Sequence, residues 1–156
     1  MPCIDSASRR SAIAVLALLA ACSAPTPAPA PGGRAGAGAA AALPNPSPVR
    51  NWSDLRVQAA RRLVAANPDG TYTGAVPDVL LAIPVLEIEL NADGSVRRID
   101  VLRRPGQAPE TLQLAMEAVR RAAPFGDVSR LPKPWRFSET FLFNDERKFK
   151  PRTLDN

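Results

Sequence analysis

The sequence predicts a small α+β domain with the element order αββαβ, in which two helices pack on a three-stranded antiparallel sheet. Residues 85 to 102 alternate apolar and polar side chains on either side of Asp93-Gly94, which predicts a β-hairpin. Residues 109 to 123 repeat apolar side chains every three or four positions, which predicts a helix. Residues 135 to 143 carry aromatic side chains of one parity, which predicts a third strand.

The helix between the second and third strands determines the order of the sheet. A right-handed crossover makes these two strands parallel, so the third strand can be antiparallel only by pairing beside the first. The expected strand order is therefore 2-1-3, with the third strand exposed as an edge. The expected domain spans residues 52 to 143, and the charged segment 144 to 156 is expected to be an extended or frayed tail.

The domain is expected to begin with a helix at Trp52, capped by the side chain of Ser53 or Asp54. Apolar side chains near helical spacing form its buried face: Leu55, Ala59, Leu63 and Val64. Asn67-Pro68-Asp69-Gly70 ends the helix, because proline cannot continue its hydrogen bonds. The following residues, 71 to 82, are expected to form a loop.

The hairpin has a self-consistent register if Asp93 and Gly94 are its two central residues, both with positive φ angles. The pairs expected to face each other are Leu86 with Val101, Ile88 with Ile99, and Glu89 with Arg98. The same register places Glu87 opposite Asp100, an unfavourable pair of like charges. The apolar face of the hairpin needs a helix and a further strand to cover it, and both follow downstream.

The second helix is expected to begin at Pro109, with Glu110 near its positive end. Its apolar stripe can cover the hairpin and consists of Leu112, Ala115, Met116, Val119 and Ala123. The closing strand presents an aromatic face made of Trp135, Phe137, Phe141 and Phe143. We interpret these four side chains as core residues rather than as a stacking surface for sugars or peptides, because the domain has few other large side chains to bury.

The first 21 residues have the pattern of a secretory signal, with a basic Arg9-Arg10 pair before an apolar core too short for a permanent membrane span. Leu19-Ala20-Ala21-Cys22 resembles the lipobox of bacterial lipoproteins, in which the cysteine is lipidated and becomes the first mature residue. The resemblance implies an acyl anchor on Cys22. Ser23, where Asp would imply the inner membrane, resembles an outer-membrane address. The expected location is therefore the periplasm, with a lipid anchor in the outer membrane.

Residues 22 to 51 have almost no large apolar side chain and many prolines, which predicts a disordered tether after the lipidated cysteine. Its proline-rich part favours a polyproline II conformation that rises about 3.1 Å per residue. We interpret it as a spacer with no binding role of its own. Cys3 lies in the signal segment, so the mature chain is expected to have no disulfide.

The chain of 156 residues contains no histidine, which excludes Ser-His-Asp and Cys-His catalysis and the common zinc sites that contain histidine. Glu87 and Glu89 have the pattern of a solvated strand face rather than of a glycosidase carboxylate pair. We therefore expect a non-enzymatic protein without catalytic residues, metal or cofactor. The formal net charge of +5 favours anionic partners without specifying one.

Four features occur together in residues 52 to 143: the alternating first strand, Asp93-Gly94-Ser95-Val96 in the turn, the Ala-rich helix that ends at Pro124-Phe125, and the closing aromatic strand. As a set they resemble the C-terminal domain of TonB and the related domain of TolA. The resemblance implies that the last strand pairs with a segment of an outer-membrane partner, a case of β-augmentation. The implied partner-binding residues are Arg136, Phe137, Ser138, Glu139, Thr140, Phe141, Leu142 and Phe143.

Two features depart from the TonB pattern. TonB-type proteins have an N-terminal transmembrane helix that couples to a proton-driven motor, whereas this chain has a lipobox, so energy transduction is not expected. The Tyr-Pro element common near the start of TonB domains is missing, since Tyr72 is followed by Thr73. The resemblance therefore implies a periplasmic module that binds an envelope protein, and a link to outer-membrane transport stays open.

A second hypothesis is a structural lipoprotein that binds peptidoglycan or another anionic envelope polymer. It depends on a candidate anion-binding set of paired arginines: Arg97, Arg98, Arg103, Arg104, Arg120 and Arg121. Export argues against nucleic acid as the partner of the same residues. Exchange of the last strand between two copies, which would make a homodimer, is a further alternative.

Overall fold

The computed structural model describes residues 43 to 155, so the signal segment, Cys22 and most of the predicted tether lie outside the described residues. The helices and strands are α1 (Trp52–Ala66), β1 (Val85–Leu90), β2 (Val96–Arg103), α2 (Glu110–Ala122), β3 (Arg136–Phe143) and β4 (Phe149–Pro151). Short 3-10 turns follow α1 at Pro68–Gly70 and β4 at Arg152–Leu154. In this part of the chain, no helix combines the length and hydropathy needed to cross a membrane.

The strands form one antiparallel sheet in the order β2-β1-β3-β4. The α+β class, the two helices and the position of β3 beside β1 are confirmed. The expectation of three strands is wrong, because β4 pairs with β3 inside the segment predicted to be a tail. The cause is Phe149, which is 3% exposed and whose ring centroid lies 5.1 Å from Phe141 and 5.7 Å from Phe143. Burial of this aromatic ring holds a strand of only three residues in place.

The β1–β2 hairpin has the predicted pairs, and Glu87 faces Asp100 as expected. The turn differs from the prediction, since only Gly94 has a positive φ (+81°) and Asp93 does not. The Gly94 N–H donates to the Asn91 carbonyl at 3.0 Å, which closes a turn of different type. A bulge in β2 beyond this turn then restores the predicted register from Glu89 onward.

Helix α1 is capped by Asn51, whose Oδ1 accepts the Asp54 N–H at 2.9 Å, and not by Ser53 or Asp54. Asn51 lies two residues before Ser53 and three before Asp54, and its amide side chain caps as well as a hydroxyl does. The helix ends at Ala66, immediately before the predicted stop. Its buried face consists of Leu55, Ala59, Ala60, Leu63 and Ala66, whereas Val64 is only half-buried.

Helix α2 follows Pro109 and begins at Glu110. Its deepest side chains are Thr111, Ala115, Ala118, Val119 and Ala122. Three members of the predicted stripe, Leu112, Met116 and Ala123, are instead half-buried beside the core. The buried face is therefore rotated toward α1, and one apolar flank of the helix remains partly open.

The folded domain is longer at both ends than residues 52 to 143. Val49 is 5% exposed and belongs to the core, together with the carboxyl-terminal Phe149. The Gln58 side-chain amide donates to the carbonyls of Ser47 (2.9 Å) and Phe125 (2.8 Å), which ties the entering chain to α1. The last residues of the predicted tether are therefore part of the domain.

The tip of the hairpin packs on the loop between α2 and β3. The Phe125 N–H donates to the Gly94 carbonyl at 2.9 Å, and the Val128 N–H donates to the Ala92 carbonyl at 2.9 Å. A Cβ atom at Gly94 would lie 2.1 Å from the Gly126 carbonyl oxygen, so this close approach requires glycine. The contact positions the β1–β2 hairpin relative to the end of α2.

Candidate functional site: the two edges of the sheet

Strand β3 was predicted to be the free edge, and the structure corrects this. Strand β4 pairs with Phe141, Leu142 and Phe143, so the second half of β3 is interior to the sheet. Phe137, Phe141 and Phe143 are buried as predicted for core residues. The Phe141 N–H donates to the Pro84 carbonyl at 3.0 Å, on the β1 side, so it is not an edge group.

On the outer edge of β3, the side chain of Glu139 occupies the backbone donor of Thr140. This side chain is 2% exposed, and its Oε1 accepts the N–H of Thr140 (3.0 Å) and of Thr153 (3.2 Å). Burial raises the pKa of the Glu139 carboxyl, and the hydrogen bonds from Thr153 and Thr140 and the charge of Arg56 oppose this shift. Its Oε2 is buried without a hydrogen-bond partner among the described residues. The carboxylate therefore joins the turn after β4 to β3 and occupies a backbone donor that an added strand would need.

Strand β2 forms the opposite edge, and among residues 43 to 155 it pairs with β1 alone. The Leu90 N–H donates to the Trp135 carbonyl, so alternate residues of β1, including Ile88, direct their backbone groups toward β3. Ile99, the partner of Ile88, therefore directs its N–H and C=O away from the sheet, as does Val101 two residues later. This edge offers backbone donors and acceptors to an added strand.

Ala123, directly after α2, meets Val96 and Ile99 of β2 in one groove, and Leu112 and Met116 precede Ala123 on the same flank of α2. We call this flank and the facing side of β2 the apolar trough. Its side chains are all half-buried: Val96, Ile99 and Val101 from β2, and Leu112, Met116 and Ala123 from α2. On the neighbouring strand Leu86 and Ile88 are fully buried (0% exposed), so the apolar cover of the sheet ends between β1 and β2. At one end the trough deepens into a groove of about 360 Å³, lined by Val96, Arg97, Arg98, Ile99, Arg120 and Ala123.

Arginines border both ends of this trough: Arg97, Arg98 and Arg120 at the groove, and Arg103 and Arg104 where β2 ends. Arg97 and Arg98 form ion pairs with Glu89 at 3.0 and 3.4 Å, and Arg98 also pairs with Asp100 at 2.9 Å. Within the described part of the chain, Arg103, Arg104 and Arg120 have no ion pair or side-chain hydrogen bond. The trough is therefore apolar along its length and cationic at its ends.

A β-bulge explains how two arginines reach one carboxylate. Arg97 is the extra residue between the Leu90–Val96 and Glu89–Arg98 pairs. The repulsion expected between Glu87 and Asp100 is relieved, because Arg136 donates to Glu87 at 3.2 Å and Arg98 pairs with Asp100. Glu87 and Glu89 both lie in partly exposed ion pairs, each worth about 0–1 kcal/mol.

The six arginines predicted as an anion-binding set do not form one patch. Arg121 donates to the Asn67 Oδ1 at the end of α1 and lies apart from the others. Arg97, Arg98 and Arg120 meet at the groove, and Arg103 and Arg104 lie at the far end of β2. The structure therefore relates five of the six to the β2 edge.

The sequence interpretation missed β2 as the open edge. Two signals could have indicated it: Phe149 stands as an isolated large apolar residue in the charged tail, and Ile99 and Val101 alternate with charges on an arginine-rich strand. The first indicates a further strand beside β3. The second indicates a strand with a poorly covered apolar face.

Comparisons with known proteins add no family. The chain matches no protein-family model, no curated protein and no solved structure. The similarity to the TonB and TolA domains therefore stays a prediction. Residues 43 to 155 contain no group of three or more Cys, Asp and Glu side chains that could hold a metal ion.

Proposed function

We propose that this chain is a non-enzymatic cell-envelope lipoprotein, anchored to the outer membrane through Cys22, whose TonB/TolA-like domain binds an extended segment of an envelope protein by strand addition. The binding strand is β2 rather than β3. The observation that carries the proposal is the unpaired β2 edge, where the backbone groups of Ile99 and Val101 point outward beside an apolar trough. Backbone hydrogen bonds then give affinity, and the trough gives specificity for alternate side chains.

Arginines and bulges on an edge strand are also devices that prevent sheets from associating edge to edge. The half-buried trough supports a binding role over protection alone. Charge alone is enough to prevent edge-to-edge association. Partial exposure of Ile99, Leu112 and Met116 adds no protection and makes the isolated domain less stable than full burial of these side chains would. A ligand strand that covers these side chains would recover this stability.

A second candidate is a structural lipoprotein that binds peptidoglycan or another anionic envelope polymer. It is favoured by Arg103, Arg104 and Arg120, which have no acidic partner in the described part of the chain. Charge-driven binding of a polymer falls steeply with added salt, whereas backbone pairing with apolar packing loses little. The salt dependence of binding therefore separates the two candidates.

The anchor is tested by intact mass and membrane partitioning of the protein from its own cells. We expect the wild type to begin at Cys22 with added lipid mass and to sediment with outer membranes. The Cys22→Ala variant should be unprocessed or absent from the membrane fraction. A wild-type protein that keeps Met1 and carries no lipid would contradict the envelope location.

Strand addition is tested in the same cells with a photo-crosslinking amino acid at Arg98 on β2, and with a control at Lys148, a partly exposed side chain next to β4. We expect a discrete protein adduct from the β2 position and none from the position next to β4. The adduct should be several-fold weaker in Ile99→Pro, which removes an outward N–H, than in Ile99→Ala, which keeps it. Equal adducts from both positions, or none from β2, would refute the proposal.

A further inference from the structure

The β2 edge would hold an incoming strand between two different surfaces, and each selects a type of side chain. Side chains of an added strand alternate between the helix side and the open side of the sheet. On the helix side they would lie over Ile99 and Val101 of β2 and beside Leu112 and Met116 of α2. This side favours apolar residues at every second position.

The open side and the ends of the trough carry positive charge. Around β2 the cations are Arg97, Arg98, Arg103, Arg104 and Arg120. The anions are Glu89 and Asp100, together with Glu87, which faces Asp100 and is paired with Arg136. Glu89 and Asp100 are already paired with Arg97 and Arg98, so the surplus is positive. Arg98 and Arg103 face Glu89 and Val85, which are four positions apart on β1, or about 13 Å along the strand. A segment of five to eight residues therefore reaches both cationic ends.

We infer that the β2 trough binds an extended acidic segment of a partner protein, with apolar residues at alternate positions and acidic residues facing the arginines at both ends. This inference rests on the proposed strand addition and names the chemistry of the partner. A second copy of this chain fits poorly, because the chain has a net charge of +5 and its own β2 edge carries the same cations. Like charges would face each other across such an interface.

The test uses the full-length protein in detergent and three fluorescent seven-residue peptides as probes. The first alternates Glu and Val, the second alternates Lys and Val, and the third has the composition of the first with all Glu before all Val. Fluorescence anisotropy measures their affinities at low and at physiological salt. We expect only the alternating acidic peptide to bind well. It alone places apolar side chains on the helix side at every second position and acidic side chains on the side of the arginines.

Substitutions at two places separate the contributions of backbone hydrogen bonding and of positive charge to the affinity for the peptide. Ile99→Pro should weaken binding about fivefold more than Ile99→Ala, since the two differ by one backbone hydrogen bond to the peptide. A triple variant, Arg103→Gln, Arg104→Gln and Arg120→Gln, should weaken it about tenfold by removing three exposed charges. In the wild type, amide hydrogen exchange at Ile99 and Val101 should slow when the peptide binds, which tests strand addition without any substitution.

The outcomes separate the inference from the proposed function. If exchange slows at Ile99 and Val101 but the Lys peptide binds as well as the Glu peptide, strand addition stands and the acidic partner is wrong. If the block peptide binds as well as the alternating one, and Ile99→Pro equals Ile99→Ala, the site is a polyanion surface and both proposals fail. No binding by any peptide overturns the inference, and the crosslinks at Arg98 then decide the proposed function separately.

Discussion

The two edges of this sheet end in opposite ways. On the β4 side, Phe149 is buried against Phe141 and Phe143, and the Glu139 carboxylate takes the N–H groups of Thr140 and Thr153. On the β2 side, the backbone groups of the last strand face outward and the apolar side chains below it are half-buried. One edge is covered over part of its length by contacts within the chain, and the other leaves its backbone groups and apolar side chains for a partner.

An aromatic strand is a poor indicator of a binding edge. Phe137, Phe141 and Phe143 are fully or almost fully buried, so β3 contributes mainly to the core. Strand β2 has smaller apolar side chains and more charge, yet its outward backbone groups and half-buried side chains are what an added strand needs.

Proline substitutions on the two strands should differ most. Phe141→Pro removes the N–H that bonds to the Pro84 carbonyl and a buried ring, so we expect the domain not to fold. Ile99→Pro removes an outward N–H and should leave a folded domain. Circular dichroism and urea denaturation of both variants check the pair. A folded Phe141→Pro protein would mean that β3 is not an interior strand.

Removal of the Phe149 ring tests whether β4 belongs to the domain. We expect Phe149→Ala to lower the free energy of unfolding by about 3–5 kcal/mol, as for other buried aromatic residues. Leu102→Ala on β2 is the matched control, and since Leu102 is 55% exposed its effect should stay within about 0.5 kcal/mol. Urea denaturation measures both. If both substitutions change the free energy of unfolding by similarly small amounts, the segment after residue 143 is a frayed tail and not part of the folded domain.

The contact between the hairpin tip and the loop after α2 positions the β2 edge, and glycine substitutions test it. Gly94→Ala should cost about 2–4 kcal/mol, because the added Cβ meets the Gly126 carbonyl at 2.1 Å in a left-handed conformation. Gly74→Ala also has a positive φ (+95°) but nothing within 4 Å of the added Cβ, so it should cost only about 1–2 kcal/mol. Thermal unfolding measures the loss of stability in both variants. Equal losses would show that the close approach of Gly94 to Gly126 does not limit the side chain at position 94.

The buried carboxylate at the closed edge predicts a pH dependence. Burial raises the pKa of Glu139 in the folded state above its unfolded value, so the folded state holds the proton more tightly. Stability from this group is therefore full below the unfolded pKa and is lost as the pH rises through the folded pKa. Glu139→Gln should remove this loss and flatten the curve of unfolding free energy at pH values above the unfolded pKa.

Glu110→Gln is the control with the opposite sign. The hydrogen bond from Arg147 lowers the pKa of Glu110, so its stabilising contribution is present above the unfolded pKa and is lost as the pH falls through the folded pKa. Urea denaturation over a pH range that extends from below to above the unfolded pKa of these two carboxyls measures both variants. A Glu139→Gln protein with an unchanged pH profile would show that Glu139 does not titrate differently on folding.

The hairpin illustrates what local sequence decides. The alternation of Leu86, Ile88 and Leu90 and the position of Gly94 determine which residues face each other, because a slip of one residue would turn every apolar side chain to solvent. The register was predictable for this reason. The turn type was not predictable, since Asn91 and Asp93 can both make turn hydrogen bonds. The bulge at Arg97 adds one residue to β2, so the observed turn leads to the same register as the predicted one.

The helices were predictable in position and less so in orientation. Their ends follow from local breakers such as Asn67-Pro68 and Pro109, which act within one turn. The rotation of α2, which leaves Leu112 and Met116 half-buried, depends on how α1 packs beside it. Hydrophobic spacing defines a wide apolar stripe, and neighbouring elements choose which part of it is covered.

By itself, the sequence determined the α+β class, the extent of α1 and α2, the pairing of β1 with β2 and the adjacency of β1 and β3. These features depend on periodicity, turn residues and crossover handedness, all of which act over short stretches of chain. Only the tertiary structure decided which edge is open. Phe149 reaches the core from a charged segment, and Glu139 bonds to Thr153 fourteen residues away. Such contacts join residues far apart in the sequence, and they form only where the folded chain brings an uncovered apolar surface or an unpaired backbone group close to them. The local sequence pattern does not indicate these positions.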